Sequence, residues 1–190
     1  PNPQDFRLTA YERVHLPQQP YLLMVGSALP RKNRALAIKL LENLGSNSRY
    51  TIVFAGAPLT LEEKTFQETH PLGSLLVSIP GPSHPLLNHL YCNAHALLFP
   101  SFSEGFGWPL IEAQTCCCPV IASTTTSIPE VAGEGALYAE PTDADAFLAH
   151  IHTLDYQDER DRLIQLGLTN INRFDQELVG EAYRHFALQM

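Results

Sequence analysis

Two glutamates separated by seven residues, Glu104 and Glu112, stand in the stretch SFSEGFGWPLIEA (101–113). Between them Gly105 and Gly107 flank Phe106, so the backbone can approach a ligand closely. Pro109 falls in the first turn of a following helix, where its missing N–H costs nothing. Gly-Phe-Gly amides at a helix start form a nest of free N–H groups that suits an anionic or oxygen-rich group. Carboxylates, in turn, accept in pairs from vicinal sugar hydroxyls. Two carboxylates around an amide nest point to a ligand that carries both phosphate and sugar.

A second candidate is GSALPRKN (26–33), which places Arg31 and Lys32 where a helix begins. Cations at that end oppose the helix dipole. They make sense if an anion sits between them, since helix amides and a Lys or Arg together bind phosphate. An ordinary solvated basic turn explains the loop equally well. The loop is neither G-x-G-x-x-G nor G-x-x-x-x-G-K-[ST], which argues against a dinucleotide site and a P-loop. The third candidate is the hydroxyl run Ser123–Ser127. Neutral donors of this kind suit phosphate oxygens, although a plain Ser/Thr loop capping the segment near Pro129 is the simpler reading.

The elements that must carry these loops follow from the hydrophobic pattern. YLLMVG (21–26), YTIVFAG (50–56), SLLVSIPG (74–81), HALLFP (95–100), PVIAS (119–123) and ALYAE (136–140) are short, continuous apolar runs. Such runs read as strands buried on both faces. Helical spacing fills the gaps at 34–45, 60–70, 84–94 and about 108–117, and the pattern from Asp143 to Met190 is helical. Strand and helix alternate, as in a doubly wound parallel α/β sheet of about six strands with helices on both faces. In such a sheet ligands bind outside the carboxyl ends of the strands. All three candidate loops follow strand ends.

The chain has 190 residues, begins at Pro1 and carries a formal net charge of −8. That charge argues against a nucleic-acid surface, which needs a basic stripe. No apolar run is long enough for a spanning helix, which needs about 20 residues. Residues 1–20, with four prolines, read as a linker from an upstream domain. Residues 21–170 then form one domain, and 171–190 a terminal helix. Cys92, Cys116, Cys117 and Cys118 lack zinc-finger spacing and read as small apolar core residues. Asp143-Ala144-Asp145 opens a helix and reads as a cap rather than a metal motif. His150 and His152 read as surface residues, and Trp108 as a lid over packed helices.

Glu104 and Glu112 within EGFGWPLIEA resemble the Glu-x7-Glu motif of family 4 retaining glycosyltransferases. GSALPRKN resembles that family's Gly-x-x-x-P-(R/E)-K loop, in the variant of mannosyl- and rhamnosyltransferase-like members. IPGPSHPLLNHLYCNAHALLFPSFSEGFG and QTCCCPVIASTTTSIPEVAGEGALYAEPTDADAF resemble the stretches before and after, so the likeness runs from about Tyr21 to Leu154 in the family's motif order.

The resemblance implies a GT-B fold: two Rossmann-like domains, of which this is the C-terminal, donor-binding one. It implies a nucleoside-diphosphate sugar as donor, a glycan or lipid-linked acceptor, no metal cofactor, and a setting in the cytoplasm, peripheral at the inner membrane. Lys32 and Glu104 would be the catalytic residues, with Lys32 on the donor diphosphate and Glu104 facing the transferred sugar. Glu112 would bind the ribose, and the backbone from Ile79 to Gly81 would border the base. Gly26, Ser27, Arg31, Gly105, Phe106, Gly107, Thr124 and Thr125 complete the expected donor contacts. Ser27 departs from the Arg common after the first Gly, and the Gly usual near Cys117 is absent. The terminal helix 171–190 would cross back to the N-terminal domain, and without that domain the segment is expected not to complete the reaction. A non-catalytic nucleotide-sugar-binding or degenerate module is the alternative. A sugar epimerase is a further one. A phosphorylase would need a lysine for pyridoxal phosphate, and Lys39 and Lys64 sit on helix bodies.

Overall fold

The computed structural model describes residues 19–46 and 48–174. The expected linker and terminal helix lie outside them except for Gln19–Pro20 and Ile171–Phe174. Six strands form one parallel sheet: β1 (Tyr21–Gly26), β2 (Thr51–Gly56), β3 (Leu76–Pro80), β4 (Ala96–Phe99), β5 (Val120–Ser123) and β6 (Ala136–Ala139). Their order is β3-β2-β1-β4-β5-β6, the doubly wound order whose direction reverses between β1 and β4.

Alternation along each strand sends neighbouring side chains to opposite faces. Leu23, Val53, Leu97 and Val120 join one core with Leu86 and Leu90 of α3 (His84–Asn93). Leu110 and Ala113 of α4 (Trp108–Thr115) belong to that core too, as do Ile128 and Val131 of α5 (Ile128–Ala132). Leu22, Ile52, Leu98 and Ile121 join the other core with Leu36 and Leu40 of α1 (Arg34–Leu44). Phe147 and Ile151 of α6 (Ala144–Thr153) and Leu163 of α7 (Gln157–Ile171) complete it. The remaining helix, α2 (Leu61–Thr69), is fixed by a capping box in which Thr60 and Glu63 bond reciprocally.

Three details differ from the sequence expectation. The helical pattern after Asp143 breaks at Leu154–Tyr156 into α6 and α7, and α5 is a helix of its own. Among the cysteines only Cys118 is fully buried, and Cys117 is exposed. Cys117 holds φ +55, so it takes the left-handed position past α4 that favours glycine. Burial pushes the Cys116 and Cys118 thiols up to about 12, which keeps both protonated at neutral pH. Finally, His150 is half-buried, with Nε2 2.9 Å from the Tyr138 carbonyl. Asp143 caps α6 as expected, accepting from the Ala146 amide at 2.9 Å.

Register makes the carboxyl ends level. Gly26 pairs with Gly56, and Gly56 with Pro80. A Cβ on Gly56 would fall 2.5 Å from the Gly26 carbonyl oxygen, so no side chain fits there.

At the opposite edge, Asp155 accepts from Arg49 and from the Tyr50 hydroxyl, with His152 and His95 beside it. Burial pushes the Asp155 carboxyl up, but Tyr50, Arg49 and His152 outweigh it and hold it below 3.8. Burial holds the His95 imidazole below 6.5. Both groups bind fewer protons folded than unfolded, so acid favours unfolding. Stability is expected to fall first as pH drops below 6.5, through His95, and again below 3.8, through Asp155. Urea midpoints measured across that range check this; Asp155→Asn should remove the lower step and, by taking away a charge that raises the His95 pKa, enlarge the upper one.

Candidate functional site

Because β1 and β4 are neighbours, the loops that follow them meet. The loop after β1 tightens into a single 3-10 turn at Pro30–Lys32, stopped by Asn33 at φ +55. Asn33 Nδ2 donates to the carbonyls of Pro100 (3.0 Å) and Pro141 (2.7 Å), which pins this turn to the loops after β4 and β6. The Phe102 amide donates to the Arg31 carbonyl at 2.8 Å. Arg34, at the start of α1, is buried and paired with Glu63, and it also donates to the carbonyls of Gly26 and Ala57.

The anion that Arg31 and Lys32 require is the chain's own. Arg31 Nη1 lies 2.7 Å from Glu104 Oε2, and Lys32 Nζ lies 2.7 Å from Glu104 Oε1. Lys32 also stands over the Phe99 ring, 4.9 Å from its centroid. Burial pushes the Glu104 carboxyl up, but Lys32, Ser101 and Arg31 outweigh burial and leave it below the usual carboxylate range. It is therefore charged at neutral pH. Behind this triad lies a small recess lined by Val25, Ser27, Lys32, Phe99 and Ser101. Ser27 offers only a hydroxyl at the position where the resemblance expects Arg, and Arg31 is committed to Glu104 and to the Ser103 carbonyl at 3.0 Å.

The hydroxyl run braces the neighbouring loops, with Ser123 buried and Thr124 and Thr126 at the surface. Ser123 and Thr125 donate to the Ser101 carbonyl at 2.6 and 2.8 Å. Ser127 donates to the carbonyls of Glu104 (3.0 Å) and Phe106 (3.1 Å). Thr126 accepts from the Glu104 amide at 3.0 Å, and Thr124 donates to Glu140 at 2.6 Å. Thr126 holds this contact at φ +51, a strained conformation for a β-branched residue. The run therefore fixes the backbone on which Glu104 sits, and the hydroxyls of Thr124 and Thr125 are spoken for.

Gly107 ends that loop at φ +106, and a Cβ there would fall 2.9 Å from Leu110 Cδ1. Among the described residues, the amides of Gly105, Phe106 and Gly107 meet no protein acceptor, as a nest at the start of α4 requires. Phe106 packs between Trp108 and Phe174, at centroid distances of 4.8 and 5.8 Å. Trp108 is 67% exposed, so it does not cover packed helices. About one turn into α4, Glu112 accepts from the Tyr91 hydroxyl at 2.7 Å. Ile79 is buried in the core, so only its backbone faces the rim. Gly81, at φ +58, donates its amide to the Gly56 carbonyl at 2.8 Å.

Sequence reasoning passed over Asn33, Tyr91, Ser101 and Gln114. Gln114 is a buried amide on α4, donating to the carbonyls of Ala132 (2.8 Å) and Gly135 (3.1 Å) and accepting from Asn170 at 2.8 Å. A polar residue on the core face of a helix is the signal that marks it.

Residues 10–167 match the family model described as glycosyl transferases group 1. The chain belongs to this family. It is 34% identical over 180 residues to O-antigen chain mannosyltransferase B of Escherichia coli, covering 90% of this chain and 46% of that protein. It is 31% identical over 135 residues to O-antigen chain mannosyltransferase RfbU of Salmonella typhimurium, covering 71% and 38%. The chain thus spans less than half the length of these relatives. Among solved structures, a sucrose-phosphate synthase from Thermosynechococcus elongatus superposes with a TM-score of 0.76 at 24% identity, over 100% of this chain and 52% of that one. WaaG, a glycosyltransferase involved in lipopolysaccharide biosynthesis, superposes with a TM-score of 0.73 at 22% identity, over 94% and 48%. These likenesses give the family's six-stranded α/β fold, and the doubly wound expectation holds. No helix among the described residues is long and apolar enough to cross a membrane.

Proposed function

We propose that the chain is the donor half of a hexosyltransferase that moves a sugar, mannose before rhamnose, from a nucleoside diphosphate to a hydroxyl of a glycan or lipid-linked acceptor, with retention. The observation that carries this is the convergence of Arg31, Lys32, Glu104 and the Gly105–Gly107 amides at the crevice where the strand order reverses. The names of the bacterial relatives favour mannose.

In this reading the bond from the sugar C1 to the diphosphate oxygen breaks, a bond from C1 to the acceptor oxygen forms, and the acceptor's hydroxyl proton passes to the departing diphosphate. The departing diphosphate gains charge as its bond stretches. Lys32, Arg31 and the amide nest stabilise that charge in place, without a bound metal. Glu104 faces the sugar, Glu112 holds the ribose, and the backbone at Ile79–Gly81 borders the base. The acceptor site belongs to an N-terminal domain, and the reaction runs on the cytoplasmic side of a membrane. The test is hexose transfer by the full-length protein from GDP-mannose, dTDP-rhamnose and UDP-glucose, with and without a chelator. Transfer from GDP-mannose, undiminished by chelation and yielding the anomer of the donor, is expected. Inverted product or activity lost to chelation would overturn the mechanism.

A further inference from the structure

Glu104 occupies the place of a ligand anion. Its side chain is 6% exposed, and Oε1 is closed off from solvent. Beyond the Lys32 charge, Oε1 has no aligned hydrogen-bond donor among the described residues. Oε1 is not open to a sugar hydroxyl while Lys32 stands on it, and Oε2 is engaged by Arg31. The two cations are not equally bound. Lys32 is 12% exposed and backed by the Phe99 ring, whereas Arg31 is 45% exposed and holds Glu104 and the Ser103 carbonyl through one nitrogen, so Arg31 is the more readily displaced of the two.

We propose that Glu104 sets ligand specificity as an internal competitor of phosphate: a diphosphate must draw Arg31 off this carboxylate, and the carboxylate then accepts from sugar hydroxyls. The inference rests on the reading above that Arg31 and Lys32 meet the diphosphate. A ligand with phosphate alone draws off Arg31 and leaves Glu104 largely buried and charged, with Lys32 and Ser101 as its remaining partners, which is costly. A ligand that also carries a sugar supplies the missing donors. The site thereby penalises the nucleoside diphosphate left after transfer relative to the sugar-bearing donor. Discrimination arises from a repulsive element as much as from a new contact.

The experiment is calorimetric titration of the full-length protein and its Glu104→Gln variant with inorganic pyrophosphate, GDP, UDP and GDP-mannose. Glutamine keeps the shape and removes the charge. The variant is expected to bind pyrophosphate and the nucleoside diphosphates about tenfold tighter or more. It should gain less for GDP-mannose, so that the ratio of sugar-donor to diphosphate affinity falls. A salt series should show the gain shrinking as ionic strength rises. Equal or weaker diphosphate binding in a folded Glu104→Gln variant would overturn the inference while leaving the donor-site reading intact. No binding of any of these ligands by the wild-type protein would instead overturn the donor-site reading, and the inference with it. Should Glu104→Gln fail to fold, Glu104→Asp serves: it draws the carboxylate back from the cations and must tighten pyrophosphate in the same direction.

Discussion

Lys32→Ala is expected to slow sugar transfer by about a hundred- to a thousandfold, the usual effect of removing one preorganised donor from a developing negative charge. Nζ is held by the 3-10 turn at Pro30–Lys32, by the Phe99 ring and by Glu104, so little reorganisation is needed as charge grows on a diphosphate. The loss should appear in kcat more than in KM, because Arg31 and the amides of Gly105–Gly107 remain to bind the ground state. Lys32→Arg should recover only part of it, since a guanidinium does not place one compact charge at the same point. The substitution to Ala also leaves Glu104 with Arg31 as its cation partner, so a modest fall in thermal stability should accompany it. Steady-state kinetics of the full-length variants, set beside their melting curves, separate the two effects.

Gln114→Leu should cost stability more than any surface change, by about 2–4 kcal/mol. Gln114 is 2% exposed, and its side chain ties α4 to the carbonyls of Ala132 and Gly135 and to Asn170 of α7. Asn170 in turn donates to the Val131 carbonyl at 2.8 Å and accepts from Arg173 at 2.9 Å. Leucine fills the volume but strands two buried carbonyls and half of Asn170 without partners. For a chain of this length the melting temperature should drop by roughly 4–16 °C. Asn170→Leu alone should cost a similar amount, and the double variant less than the sum, because the two side chains satisfy one another. Additive losses would show that the pair is not a unit. Since α4 also carries Glu112, a loosened Gln114 should weaken nucleotide binding as well.

The strands were legible because each is apolar on both faces, as in YLLMVG and YTIVFAG, and only a sheet covered on both sides asks for that. The three site loops were legible as strand ends, and the cation pair as a demand for an anion. What the one-dimensional pattern does not carry is strand order. Only because β1 lies beside β4 does Arg31 meet Glu104, 73 positions away. The same holds for the hydroxyl run: Ser123–Ser127 looks like a phosphate loop until β5 is placed beside β4, when its side chains reach Ser101, Glu104 and Phe106. Tyr91 passes for a core aromatic in HPLLNHLYCNA, and only the packing of α3 against α4 reveals Glu112 at its hydroxyl. Cys117 shows the reverse case. The expected glycine is missing from the sequence, yet the backbone keeps the left-handed conformation that glycine would have eased.

Donor binding requires a nucleotide site at the carboxyl ends of β1 and β4, with Glu112 as its ribose anchor. Calorimetric titration of the full-length protein and its Glu112→Ala variant with GDP, UDP, dTDP and ADP, in buffer with and without magnesium, reads that claim. Saturable binding of one nucleotide, unchanged by magnesium and weakened about tenfold or more by Glu112→Ala, is the predicted result. Binding that Glu112→Ala leaves unchanged, or no binding of any nucleotide, would contradict it.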